Sequence, residues 1–209
     1  MKTGKQTLRK AKAEKMNAFI EYIDTISNGL KKTIATDSQS NVIDTEKALF
    51  QWADKTYEVN SKSGLLFFCG NGASATMAEH LADDCLHNAG MKTETSCSTA
   101  HLTAIANDNS SEELFSFRIG RFLGKNDLLI TISSSGNSPD ILKAIETARE
   151  KGSFIVTLSG RNSDNKSRKM GDLNFYVPLP TYGETESAHA ALLHCWLDLY
   201  MDKYLGGRH

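Results

Sequence analysis

From residue 64 onward the chain repeats one pattern: a short strand-like run, then a stretch with helical periodicity. The runs are GLLFFCG (64–70), TETSCS (93–98), DLLITIS (127–133), SFIVTLS (153–159) and LNFYV (173–177). Helices are expected from about residue 74, after TETSCS, from 139, briefly after SFIVTLS, and from about 185 onward. Strands without polar alternation are covered on both faces, and a strand–helix repeat builds a parallel sheet. Right-handed crossovers place the helices on both sides. The expected fold is α/β, a three-layer α/β/α sandwich with a central parallel five-stranded sheet.

Residues 1–60 contain no proline and read as a helical pair preceding a domain over 61–209. Met16, Phe19, Ile20, Ile23, Ile26 and Leu30 keep helical spacing, TDSQSN (36–41) reads as a polar loop, and Asp44 precedes a second run through Ala48, Leu49, Trp52 and Ala53. Apolar faces on such a pair favour burial against the domain and against other copies of the chain.

Charge narrows the partners. With 24 Lys and Arg against 25 Asp and Glu, the net charge is -1, which argues against general binding to nucleic acid or to membrane surfaces. No apolar run approaches the ~20 residues that span a bilayer. MKTGKQTLRKAKAEK has no apolar segment behind its basic start, so it does not read as a secretory signal. Cys69, Cys85, Cys97 and Cys195 are widely spaced and read as reduced core residues of a cytoplasmic protein.

In parallel sheets ligands bind beyond the carboxyl ends of the strands. Two strand ends here are rich in small residues: Cys69-Gly70-Asn71-Gly72-Ala73-Ser74, and Ser133-Ser134-Ser135-Gly136-Asn137-Ser138-Pro139-Asp140. Pro139 suits the first position of a helix and Ser138 its N-cap, with Ile141, Leu142, Ile145 and Ala148 as the buried stripe. A row of serines thus precedes a helix N-terminus, where free N–H groups and the helix dipole favour an anion. Capping alone needs fewer hydroxyls, so a phosphate is the expected ligand. The dinucleotide fingerprint lacks its third glycine and the acidic residue after the next strand. No Gly-x-x-x-x-Gly-Lys-Ser/Thr run occurs, and the hydrolase elbow lacks its second glycine at Thr76.

His80 and Asp84 are four residues apart and share a helix face. Glu186 and His194, eight apart on the last helix, lie ~12 Å apart along its axis and ~80° around it. Together they could form a site for Zn²⁺ or a similar divalent ion. The same spacings also fit a surface pair at His80–Asp84 and ordinary core-edge histidines at His189 and His194.

FFCGNGAS, ISSSGNSPDILKAIETAREKG and VTLSG resemble the sugar isomerase (SIS) domain. AEHLADD (78–84), ANDNS (106–110) and the His189-x-x-x-x-His194 pair resemble, more closely, the phosphoheptose isomerases. That resemblance implies a homotetrameric enzyme interconverting sedoheptulose 7-phosphate and D-glycero-D-manno-heptose 7-phosphate, with one divalent metal, Zn²⁺ by expectation, per subunit. It puts the metal on His80, Asp84, Glu186 and His194, the catalytic base on Asp84, and acid/base work on His194. It assigns substrate and phosphate contacts to Asn71, Gly72, Ser74, Asp108, Ser133, Ser134, Ser135, Ser138 and Glu186. The chain departs from the family pattern at Asp84, where the family has glutamate, and at Glu186, where it has glutamine. The family's Arg-Ile-Gln-Glu also reads Glu184-Thr185-Glu186-Ser187. These departures leave open a different sugar phosphate, or a non-catalytic SIS protein that binds a sugar phosphate or a protein partner.

Overall fold

The computed structural model describes residues 17–96 and 98–207. The expectations for the opening segment, Met16 and Cys97 lie outside the described residues; of the other cysteines, Cys69 and Cys85 are buried as core residues, whereas Cys195 is exposed. Among those residues the sheet has seven strands in the order β2-β1-β7-β6-β5-β3-β4. The strands are β1 (Ile34–Asp37), β2 (Val42–Ile43), β3 (Leu65–Gly70), β4 (Lys92–Thr95), β5 (Leu128–Ser133), β6 (Phe154–Gly160) and β7 (Leu173–Val177). Strands β3 to β7 are all parallel, the five strands that the repeat predicts, with β4 at the edge of the sheet.

The first two strands are an addition to that expectation. TDSQSN is not a loop throughout: β1 runs antiparallel to β7, and β2 returns antiparallel to β1. Asp37 makes the turn between them, its carboxylate accepting the backbone N–H groups of Gln39 and Asn41, both at 2.9 Å. Ser40 takes the left-handed conformation there, with φ 65°. The hairpin is held by this side-chain-to-backbone turn more than by apolar alternation, so its composition reads as loop.

The helices are α1 (Ala18–Lys31), α2 (Thr45–Ser61), α3 (Ala73–Ala89), α4 (Thr99–Asp108), α5 (Ser116–Phe122), α6 (Pro139–Glu150) and α7 (Tyr182–Tyr204). The period of two along each strand divides the core. Leu66, Phe68, Ile130, Ile132, Val156 and Leu158 join α2, α3 and α7 on one face of the sheet. Phe67, Cys69, Leu129 and Ile155 join α5 and α6 on the other. Both faces are therefore apolar, which is why β3, β5, β6 and β7 read as unbroken runs.

Helix α2 is set into the larger core. Asp44 caps it by accepting the Lys47 N–H at 2.9 Å, and Trp52 stacks on Trp196 of α7 with ring centroids 4.3 Å apart. Each indole is fully buried, so truncating either to alanine would cost about 3–5 kcal/mol. Helix α1 is different. Ile26 and Leu30 pack on the core, but Phe19, Ile20 and Ile23 stay exposed.

Candidate active site

The loops after β3 and β5 converge at the carboxyl end of the sheet. Gly72 turns the first loop into α3 with φ 58°, a conformation that favours glycine. Gly136 turns the second with φ 62°, and a Cβ there would collide with the Asn165 side chain. Between them lies a cavity of about 320 Å³. Asn71, Gly72 and Ser74 line it from one loop, Ser133, Ser134, Ser135 and Ser138 from the other, and Tyr182 and Glu186 from α7.

The hydroxyls here are only partly engaged. Ser133 Oγ accepts the Gly136 N–H at 3.2 Å, and Ser135 Oγ accepts the Asn137 N–H at 3.3 Å. Ser134 Oγ is buried with no hydrogen-bond partner among the described residues. Ser138 occupies the N-cap of α6 and Pro139 its first turn, as expected, yet the Ser138 side chain makes no capping bond. A buried polar group without a partner is costly, and an anion accepting from these donors would remove that cost. The start of α6 adds its free N–H groups and positive dipole end.

Asp140 closes the serine-rich run without an expected role, and it ties the two loops together. Its Oδ1 accepts the Ile141 N–H at 2.9 Å, and its Oδ2 accepts from Asn71 Nδ2 at 2.8 Å. An acidic residue in the first turn of a helix was the available signal. A second cavity of about 320 Å³ shares Asn71 and Gly72 and is walled mainly by Leu102, Ala106, Leu114 and Phe115.

About two turns along α3 stands a second group. His80, Asp84 and His194 each offer a ligand atom, and the three atoms lie within 4.8 Å of one another. His80 Nε2 is 3.3 Å from Asp84 Oδ2, as i,i+4 spacing allows. His194 joins from α7, its ring centroid 5.4 Å from that of His80. Two imidazole nitrogens and one carboxylate oxygen, with a side open to solvent, match the three-ligand sets of catalytic zinc sites. The donor set therefore fits a divalent ion.

The remaining expected residues fall elsewhere. Glu186 is not part of this three-residue group and lines the serine cavity instead. Asp108 ends α4 exposed to solvent, accepting from Asn107 Nδ2 at 2.7 Å, and does not line the cavity. His189 is a core histidine: it is fully buried, with Nε2 3.1 Å from the Ser159 carbonyl oxygen. Burial pushes its pKa down to about 4, against the opposing pull of that carbonyl, so it is neutral at pH 7.

The departure at 184–187 has local structural reasons. Thr181 and Glu184 form a capping box at the start of α7. Thr185 Oγ1 donates to the Thr181 carbonyl at 2.7 Å, and Ser187 Oγ to that of Gly183 at 2.8 Å.

Known proteins share this architecture. The SIS domain family model matches residues 21–160. The phosphoheptose isomerase of Shewanella frigidimarina is 33% identical over 175 residues, covering 78% of this chain and 89% of that protein. The phosphoheptose isomerase of Helicobacter pylori is 35% identical over 147 residues, covering 68% and 76%. The solved structure of the Neisseria gonorrhoeae phosphoheptose isomerase superposes with a TM-score of 0.76 at 25% identity, over 91% of this chain and 99% of that one.

Proposed function

Because the chain belongs to the SIS-domain family and, within it, to the phosphoheptose isomerases, phosphosugar isomerases by activity, we propose that it converts sedoheptulose 7-phosphate to D-glycero-D-manno-heptose 7-phosphate. One observation supports this most strongly: the anion cradle and the histidine–carboxylate group stand on the same two helices. Ser74 and His80 are ~9 Å apart along α3, and Glu186 and His194 ~12 Å apart along α7. A phosphate held at the strand ends leaves the other end of an extended sugar beside His80, Asp84 and His194.

Ketose–aldose isomerisation needs a base to take a proton from the carbon next to the carbonyl. It also needs a group that moves protons between the two oxygens. Asp84 is the base. Its Oδ2 faces His80, which leaves Oδ1 to accept the proton. His194, exposed on the facing helix, carries the proton between the oxygens. A divalent ion held by His80, Asp84 and His194, zinc by donor set, supplies polarisation of the carbonyl and of the enediolate oxygens when bound. Glu186 contacts the substrate from the cradle wall. The remote phosphate fixes the sugar, so that binding energy serves orientation at the reacting carbons.

The enzyme acts as a cytoplasmic homotetramer in this reading. Its supporting feature is the apolar face of α1, where Phe19, Ile20 and Ile23 are 72%, 55% and 44% exposed, a patch of the kind that marks subunit contacts.

The enediol step has its own test. In D₂O the product aldose should acquire deuterium at the carbon that receives the returned proton, read by NMR. Conversion without any deuterium incorporation would exclude Asp84 as a solvent-exchanging base.

A further inference from the structure

The cradle lacks a positive charge. A sugar phosphate carries roughly two negative charges at neutral pH, yet the described residues lining the cavity include no lysine, arginine or histidine, and Glu186 contributes a carboxylate. The hydroxyl and N–H donors can hold such an anion, and a full positive charge beside them would hold a dianion more tightly.

Arg161 stands beside this cavity. It directly follows β6, and Ser133 of β5 is the register partner of Ser159. Arg161 is therefore as far past that pair on β6 as Ser135 is on β5. Its guanidinium carbon lies 4.2 Å from the centroid of the Tyr182 ring, and Tyr182 lines the cradle. The backbone of Arg161 is held at φ 56°, a region a long-chain L-residue seldom adopts. The Tyr176 hydroxyl fixes that turn by donating to the Arg161 carbonyl at 2.8 Å. Arg118 and Arg149 form ion pairs with Glu94 and Asp172, but no described carboxylate pairs with Arg161. A strained residue thus holds an exposed, uncompensated cation on an aromatic face at the mouth of an anion cavity. Strain of this kind gathers at ligand clamps.

We propose that Arg161 is the phosphate clamp of this chain. On substrate entry its guanidinium leaves the face of Tyr182 and takes two phosphate oxygens as a fork, offsetting the charge of Glu186. The inference rests on the phosphosugar reading above.

The test is calorimetric titration with sedoheptulose 7-phosphate, its unphosphorylated sugar and inorganic phosphate, using wild type, Arg161→Gly and Arg161→Lys. Glycine tolerates the positive φ, so Arg161→Gly removes the guanidinium without backbone strain and should melt no lower than wild type. The expected result is a roughly 10- to 100-fold rise in Kd for the two phosphates in Arg161→Gly. Arg161→Lys should recover part of it, and binding of the unphosphorylated sugar should not change. A Kd for the phosphates within twofold of wild type would overturn the clamp. If wild type binds inorganic phosphate in an Arg161-dependent way but not the sugar phosphate, the clamp stands and the isomerase reading falls. If wild type binds neither phosphate, both fall.

Discussion

At the amino ends of the parallel strands, carboxylates are tied to the backbone. Asp127 accepts the N–H groups of Leu65 at 2.7 Å and Gly124 at 2.6 Å. Asp172 accepts the Ile155 N–H at 2.8 Å and pairs with Arg149 at 2.6 Å. At the carboxyl ends, among the described residues, the Ser134 hydroxyl has no hydrogen-bond partner, the Ser138 side chain makes no capping bond, and no carboxylate pairs with Arg161. One end binds its own chain, and the other keeps its donors for something else. Size alone would choose wrongly between them. The larger cavity, about 810 Å³, lies toward the amino end between the β1–β2 hairpin and α2. Several of its charged residues are already paired: Lys55 with Glu58, Asp54 with Lys203 and Asp172 with Arg149. The cradle is less than half that volume, and it is the one with unmet hydrogen-bonding capacity.

The contrast can be broken most sharply at the reactive group. Replacing Asp84 by Asn or His194 by Ala should lower turnover by about 10³-fold, within the range of general acid–base contributions. Melting temperature should barely move, because His194 is exposed and Asp84, its side chain 24% exposed, meets only the solvent-facing His80 among the described residues. Loss of fold with loss of turnover would make these residues structural.

His189 tests the interior beneath the cradle. Its folded pKa of about 4 lies below the ordinary histidine value of 6.5, because burial disfavours the charged ring. Between those values the unfolded chain binds a proton that the folded chain does not. Its contribution to stability is therefore complete above pH 6.5 and is lost as pH falls toward 4. The slope is about 1.4 kcal/mol per pH unit, and roughly 3 kcal/mol in all. Urea unfolding between pH 6.5 and 5 should show that slope in wild type and not in His189→Gln. Equal slopes would mean that the ring is protonated in the fold.

The amino end should behave as structure only. Asp127→Ala strands two N–H groups and should cost about 2 kcal/mol in urea unfolding. Saturating turnover of the folded fraction should stay at the wild-type level. The smallest effect belongs to Ser134→Ala. Removing an unpartnered buried hydroxyl should leave stability within about 0.5 kcal/mol of wild type or raise it, while weakening sugar-phosphate binding by about tenfold. A clear loss of stability would show that the hydroxyl already serves the fold.

The sequence makes β3, β5, β6 and β7 legible because both of their faces are buried, whereas β4, at the sheet edge, is only half-buried and lacks an apolar run. The β1–β2 hairpin is hidden because Asp37 and its turn, not apolar alternation, hold it. The start of α7 at Tyr182, not near 185, was available in the Thr181-x-x-Glu184 box. His80–Asp84 follows from i,i+4 spacing alone, whereas the arrival of His194 depends on how α7 packs against α3, which no local pattern encodes. His189 and His194, five residues apart, point ~140° away from each other around the helix. One is consequently core and the other exposed. The ~80° offset of Glu186 from His194 likewise sends it to the cradle and not to the metal group.

The most direct measurement is turnover of sedoheptulose 7-phosphate by the purified chain, with Zn²⁺ or another divalent ion added and then with a chelator. The account predicts conversion to the heptose 7-phosphate that the chelator abolishes and added metal restores. No conversion with any divalent metal would contradict it.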